Sequence, residues 1–315
     1  MLFLLKEKKN KLNFSLESKN FQRFKIIFAK VKYVAKNVIY IKKWPKNPNK
    51  VFDKLKIFHK AKKGENFEFN FANYTVKIIN EPDPLLQKAK SLRYRIFFGK
   101  TNKKFYDSDE FDADCDHLVV IDNKISNDHV VGTYRLLHKP KSINYRLFYS
   151  ESEFNISSLF NLRNISMLEA GRSCVHEDYR DGRIIKLLWR GLASYIVQKK
   201  IDLIFGCASF PSSNHSLFKN QLSYLHHYHM PPKKYLTKPL DHMKADYEVL
   251  EKNEFDGEDQ FRALPPLIKA YIRTGAWIGP GAIVDKKFNT TDVFIILKAE
   301  NIIQKYSNLS FRGAK

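Results

Sequence analysis

The sequence predicts a mixed α/β fold behind a basic helical extension, and three observations carry that prediction. From Tyr74 onward, segments with strand periodicity alternate with segments of helical periodicity. A strand–helix–strand succession fills the middle of the chain, preceded by two strands joined by a polar turn. Positive charge gathers ahead of all of these. Residues 1–63 hold 19 Lys and Arg against 3 Asp and Glu, whereas the rest of the chain holds 36 against 30. That shift divides a basic amphipathic extension, 1–63, from a domain over 64–315.

In chain order, Phe21, Phe24, Phe28, Val31, Ala35 and Val38 form one helical stripe, flanked by Lys25, Lys32, Lys36 and Lys43. Such a helix suits either an anionic membrane surface or packing of the stripe on the domain with solvated lysines. Nucleic acid has the charge it needs here but no motif behind it, so no nucleic-acid partner is expected. Trp44 and Pro45 end this helix. Tyr74–Ile79 reads as a strand and Pro84–Phe98 as a helix. Leu118–Ile121 and Val130–Leu137 are expected to pair as a hairpin across Asp122–Asp128. Ser166–Val175 is a strand, and Gly182–Lys199 a helix with Ile184, Leu188, Leu192 and Tyr195 inward. Leu203–Ala208 is an apolar strand, and a helix starts near Asn214. The tail holds a helix at Pro266–Thr274, a turn at Gly275–Gly281 and a strand at Val293–Leu297.

Composition bounds the function. With 43% hydrophobic and 14% aromatic residues in 315, the chain can bury a large core, which excludes wholesale disorder. No apolar run approaches the ~20 residues of a membrane-spanning helix, and Met1–Leu5 is too short for a secretory signal. Cys115, Cys174 and Cys207 have no metal or redox spacing, so a reduced cytoplasmic protein is expected.

Several segments together resemble a known family. They are Ser166-Met-Leu-Glu-Ala-Gly-Arg-Ser-Cys-Val175, Tyr179-Arg-Asp-Gly182, Leu187-Leu-Trp-Arg-Gly191 and Leu203-Ile-Phe-Gly-Cys-Ala-Ser-Phe210. Earlier come Leu92-Arg-Tyr-Arg-Ile-Phe97, Phe111-Asp-Ala-Asp-Cys-Asp-His117 and Val131-Gly-Thr-Tyr-Arg-Leu-Leu137; later, Leu264-Pro-Pro-Leu-Ile-Lys-Ala-Tyr271 and Gly275-Ala-Trp-Ile-Gly279. Over roughly 74–298 the chain resembles the ornithine–acyl-carrier-protein N-acyltransferases, often labelled haemolysin-like, of the GNAT superfamily. More loosely it is similar to the acyl-homoserine-lactone synthases. The resemblance implies a GNAT-like, mostly antiparallel twisted sheet flanked by helices. It also implies transfer of a (3-hydroxy)acyl chain from acidic acyl carrier protein to the α-amine of L-ornithine, giving lyso-ornithine lipid. Lactone synthesis, which needs S-adenosylmethionine, and a non-catalytic adaptor built on the same scaffold are the alternatives. No resident cofactor is expected, because phosphopantetheine arrives on the carrier protein. A cytoplasmic enzyme, peripheral on the inner face of the membrane, is the expected location.

A thioester is already activated, so N-acylation needs a neutral amine, a positioned carbonyl and oxyanion stabilisation, with no covalent nucleophile. An α-amine titrates roughly 2.5 units below a side-chain amine, an advantage of about 3.4 kcal/mol for deprotonation. Glu169, mid-strand in an apolar run, is the candidate general base; the alternative is a structural pair with Arg172 or Arg135. Asp112, Asp114 and Asp116 share a face if extended, and would bind the amine, line a solvated acidic loop or ligate a metal, which spacing alone does not establish. No metal is assigned. Arg135 either binds the amino-acid carboxylate or supports Glu169, and Arg172 belongs to the same substrate set.

In GNAT enzymes the helix start corresponding to Arg180-Asp-Gly182 cradles the pantetheine phosphate on backbone N–H groups. Here the motif is a residue short, and Ile184 replaces the last glycine, which favours a carrier-tethered donor over free coenzyme A. The outward cations Arg183, Lys186 and Arg190 form either a carrier-docking stripe or a solvated helix face. Two features read as coincidences. The His117-x₄-Asp122 spacing of glycerolipid acyltransferases runs through an apolar strand here, and the histidines at 226, 227 and 229 point in different directions on a helix.

Overall fold

A computed structural model describes residues 67–99 and 106–307. The basic extension 1–63, its amphipathic stripe and the turn at Trp44 lie outside the described residues. No helix among those described is long and apolar enough to cross a membrane.

The chain runs through β1 (Glu68–Phe71), β2 (Tyr74–Ile79), α1 (Leu85–Phe98), β3 (Asp116–Asp122) and β4 (Val130–Lys139). Next come β5 (Phe154–Asn155), α2 (Ser157–Phe160), β6 (Met167–Val175), α3 (Arg183–Lys199), β7 (Leu203–Phe210) and α4 (Lys219–His229). The remainder is β8 (Lys238–Pro239), α5 (Gly257–Ala263), α6 (Pro266–Ile272), β9 (Trp277–Ile278), β10 (Ile283–Asp285), β11 (Thr290–Lys298) and α7 (Ala299–Ser307). Among the described residues, nine strands make one sheet in the order β1-β2-β3-β4-β6-β7-β11-β10, with β9 also on β11. Every neighbouring pair is antiparallel except β6 with β7. The expected hairpin is β3–β4, and the expected strand–helix–strand unit is β6–α3–β7.

Nearly every residue of β3 and β4 is buried, as central strands covered on both faces must be. On one face α3 lays Ile184, Leu188, Leu192 and Tyr195 on the sheet, joined by Ile268 of α6 and Ile302 of α7. Gly191 permits that approach, because a Cβ there would lie 2.6 Å from Leu118 Cδ1. On the other face Phe148, Phe154 and Leu159 cover Phe205 and Phe294. Cores of this kind turn a strand's alternation into a fixed register.

The site is prepared by the one parallel pair. β6 and β7 are paired only at Met167↔Leu203, Leu168↔Ile204 and Glu169↔Phe205, and both strands then continue apart. On β6, Thr133 pairs with Cys174 and Arg135 with Gly171, so Arg172 and Ser173 bulge opposite Tyr134 alone. Arg172 takes a left-handed φ of 50° there. Bulges redirect a strand and its side chains in this way. On β7 the divergence begins at Gly206, where a Cβ would meet the Ala170 carbonyl oxygen at 2.5 Å.

Two local expectations need correction. The segment carrying Asp112 and Asp114 is a 3₁₀ turn, Glu110–Asp114, capped by Asp109, and is not extended. The helix expected from Asn214 begins at Lys219, because His215–Phe218 makes its own 3₁₀ turn. No element is expected from the sequence at β1, β10 or α7, although Ile302, Ile303 and Tyr306 give α7 an apolar face.

Candidate active site

A cavity of about 410 Å³ opens where β6 and β7 part. Glu169, Arg172 and Cys207 reach it from these strands, Arg135 from β4, and Glu153 from the turn before β5. Asp292 of β11 closes the far side.

Glu169 is buried, and both its oxygens are held by the turn that covers the cavity. Oε2 accepts the backbone N–H of Tyr149 at 2.9 Å, and Oε1 accepts the N–H of Ser150 at 2.7 Å together with the Ser150 hydroxyl. Burial pushes its pKa up against these hydrogen bonds. Neither Arg172 nor Arg135 forms an ion pair with it among the described residues. In place of the alternative pair with Arg172 or Arg135, Glu169 clamps the 149–150 backbone.

The two arginines are committed elsewhere. Arg172 Nε donates to Asp107 at 3.1 Å and its Nη2 to Asp109 at 2.9 Å. Its guanidinium also lies over the Tyr149 ring at 4.6 Å and the Phe288 ring at 4.9 Å. Arg135 pairs with Asp109. Arg93, fully buried on α1, donates to Asp107 at 2.7 Å and to Asp112 at 2.6 Å. Three arginines thus neutralise three aspartates, tying α1, the acidic loop, β4 and β6 together; of these six side chains Arg135 and Arg172 line the cavity. Burial raises the Asp112 pKa, but the Arg93 hydrogen bond and charge outweigh it and hold the carboxyl well below the usual range.

The acidic trio of the sequence does not converge. Asp112 belongs to Arg93. Asp114 faces solvent near Arg146 at 3.7 Å, and Asp116 accepts the Tyr195 hydroxyl at 2.8 Å. None of them lines the cavity: Asp112 and Asp114 sit in a 3₁₀ turn, whose three-residue repeat sends them to different sides, and Asp116 already belongs to β3. A different trio does converge: Glu153, Asp285 and Asp292 are buried, with carboxylate oxygens all within 4.8 Å of one another. Burial pushes Glu153 up to about 7, and Cys207 Sγ donates to its Oε2 at 2.9 Å. Burial likewise pushes Asp292 up to about 6. Glu153 is far in sequence from Asp285 and Asp292, and the three form no motif. Their one signal was a lone carboxylate in an apolar strand, as in Ile283-Val-Asp285 and Asp292-Val-Phe-Ile295.

At the start of α3, Gly182 has φ 89°. Asp181 caps the Arg183 N–H at 2.9 Å and pairs with the Arg183 side chain. Arg180 Nε approaches the Val175 carbonyl at 3.4 Å. Arg183 and Lys186 are exposed. Arg190 breaks the outward stripe, since its guanidinium covers Phe69 at 5.4 Å and Phe71 at 5.2 Å. None of these residues lines the cavity. Burial pushes Cys115 and Cys174 up to about 12, so both are thiols at neutral pH. His117 sits against the Asp112 carbonyl while Asp122, at the other end of β3, accepts the Tyr179 hydroxyl. His227 and His229 bond to the Leu250 carbonyl and the Tyr224 hydroxyl respectively, and do not converge.

An acetyltransferase (GNAT) domain model matches residues 92–190, the stretch from Arg93 through Arg135 and Glu169 to α3. The chain is 37% identical over 242 residues to L-ornithine N(alpha)-acyltransferase of Brucella abortus, covering 73% of this chain and 85% of that one. It is 36% identical over 242 residues to the enzyme of the same name from Agrobacterium fabrum, covering 73% and 82%. The chain belongs to the L-ornithine N(alpha)-acyltransferase family. Among solved structures it is similar to the AHL synthase LasI, with TM-score 0.42 and 12% identity over 80% of this chain and 100% of that one. In this family member the GNAT match supplies the arginine-lined wall and Glu169, while Asp285 and Asp292 lie beyond its end.

Proposed function

We propose that this enzyme transfers a (3-hydroxy)acyl chain from the thioester of acyl carrier protein to the α-amine of L-ornithine, releasing lyso-ornithine lipid. The observation that carries this reading is the cavity at the parting of β6 and β7, with a buried Glu169 at its apex. Beyond Glu169 the edge of β6 that faces β7 has no strand partner among the described residues, which leaves it open to an extended, amide-bearing pantetheine arm.

The α-amine enters neutral and attacks the thioester carbonyl. A C–N bond forms, the C–S bond breaks, and the sulfur leaves as a thiol after receiving, by way of Glu169, the one proton that the amine gives up. Glu169 takes the amine proton, and its raised pKa makes it a better base near neutrality than an exposed glutamate. The Tyr149 and Ser150 N–H groups fix its orientation. No cysteine is needed as nucleophile, which agrees with the thiols being held protonated.

The acidic carrier protein docks on the exposed cations Arg183 and Lys186 at the start of α3. The basic extension 1–63 holds the enzyme on an anionic leaflet, where an amphiphilic product is delivered. Incubation of the full chain with labelled ornithine and 3-hydroxyacyl carrier protein tests the reading. A labelled amphiphilic amide is expected; an S-adenosylmethionine requirement or no amide with any amine would defeat it.

A further inference from the structure

We propose that Glu153, Asp285 and Asp292 form the subsite for the side-chain ammonium of the acceptor, selecting a dibasic amino acid over one with a neutral side chain. The inference rests on the acyl-transfer reading and identifies the acceptor end of that site.

The three carboxylates come from the turn before β5, from β10 and from β11, and all line the same cavity. Their oxygens lie within 4.8 Å of one another. A second observation points to a ligand. Asp292 is only 6% exposed, yet its Oδ1 makes no close hydrogen bond among the described residues; the Ser209 and Thr290 side chains lie near enough to favour its charge but leave that oxygen without a well-placed donor. A buried carboxylate oxygen without a donor is costly, so a fold that keeps one in a cavity wall has a use for a donor there.

The chemistry of the set favours an alkylammonium. Such a group carries three N–H donors and no acceptor, and here three carboxylates converge while Cys207 satisfies one oxygen of Glu153. The path from this end to the reacting end is continuous. The Ser150 hydroxyl donates to Glu169 and lies 3.8 Å from Cys207 Sγ, which in turn donates to Glu153. Glu169 and the carboxylate trio therefore sit at opposite ends of one short polar track. An amino acid with its α-amine at Glu169 extends its side-chain ammonium toward Asp292. Burial and mutual proximity raise the cost of ionising Glu153 and Asp292 without a cation, and a bound ammonium relieves it.

Norvaline, which keeps ornithine's carbon chain but lacks its terminal amine, is the discriminating probe. With the full-length enzyme, kcat/KM for ornithine over norvaline is measured in the wild type and in Asp292→Asn, Asp285→Asn and Glu153→Gln. Folding of each is checked by circular dichroism. Each variant is expected to lower the ratio about tenfold to a hundredfold through KM for ornithine, with norvaline turnover retained. Calorimetric titration of ornithine and of Ca²⁺ into the same proteins provides a readout without turnover. If ornithine is acylated but the ratio stays put in all folded variants, the subsite is wrong and the acyl-transfer reading stands. If ornithine binds in a manner lost in Asp292→Asn but is never acylated, the subsite stands and the reaction is wrong. Neither binding nor acylation overturns both, and Ca²⁺ binding that ornithine does not compete with makes the trio a metal site.

Discussion

Glu169 Oε1 accepts the backbone N–H of Ser150 at 2.7 Å, so the carboxylate proposed to take the substrate's proton also holds down the turn that roofs the cavity. The two roles separate experimentally. Glu169→Gln keeps one acceptor, for Ser150, but sets its amide N–H₂ against the Tyr149 N–H, which costs about 1–3 kcal/mol; with folding checked by circular dichroism, the variant is expected to lose ~10²–10⁴-fold in kcat through lost basicity. Near-normal turnover in the purified variant would remove the base role.

Arg93 is a structural partner and not a substrate contact, since both its aspartates are buried behind the cavity wall. Arg93→Met leaves Asp107 with Arg172 but strips Asp112 of its main cation. Removing one member of a buried charge network costs about 3–5 kcal/mol. Urea unfolding is expected to show a loss of that size, and a loss below about 1 kcal/mol would contradict the network's role.

Glu153 faces Cys207 of β7, Asp285 of β10, Asp292 of β11 and, through charge, Arg172 of β6. Its folded pKa of about 7 lies above that of an ordinary glutamate, so the free enzyme protonates it as pH falls through 7. A protonated Glu153 is a poorer cation partner. The ornithine-over-norvaline preference should therefore fall between pH 8 and pH 6, the comparison cancelling the titration of the shared α-amine. A preference flat over that range would count against Glu153 as a ligand.

Stability carries the opposite sign. For Glu153 and Asp292 the folded state binds protons more tightly than the unfolded state. Their contribution is therefore present at low pH and is lost as pH rises from the unfolded values to about 7 and about 6. Without ornithine, Asp292→Asn is expected to be more stable than wild type at pH 8 by the order of 1–3 kcal/mol, and so to melt at a higher temperature, and to gain little at pH 5. Thermal scans at both pH values check this, and a lower melting point at pH 8 would refute it.

Arg183 and Lys186 point outward beside Gly182, whereas Arg190 is spent on Phe69 and Phe71. Reversing the first two to Glu should raise KM for acyl carrier protein on the order of tenfold and leave KM for ornithine unchanged. An unchanged carrier KM would mean docking lies elsewhere. Deleting residues 1–63 should abolish binding to anionic liposomes while soluble substrates are still turned over; retained liposome binding would contradict a membrane role for the extension.

Much of the scaffold was legible because β2, β4 and β6 are largely buried strand runs bounded by turn residues, and α3 keeps a period of 3.6, with Ile184, Leu188, Leu192 and Tyr195 buried as their spacing requires. The motif residues were legible as a set, yet their roles were not. Arg93, Arg135 and Arg172 meet three aspartates in one network, which spacing along the chain cannot reveal. The alternation of Asp112, Asp114 and Asp116 misled because capping by Asp109 turns the segment of the first two into a 3₁₀ turn, while Asp116 opens β3. Glu153, Asp285 and Asp292 were hidden because only the antiparallel return of β10 and β11 beside β7 brings them together.

The central claim is that the acyl chain is placed on the α-nitrogen while the side-chain ammonium is held by carboxylates. The most direct measurement is the position of the amide in the product formed from ornithine and 3-hydroxyacyl carrier protein, read by tandem mass spectrometry after amine-selective labelling. The account predicts an α-amide with the side-chain amine free to react with the label. A side-chain amide, or no amide at all, would contradict it.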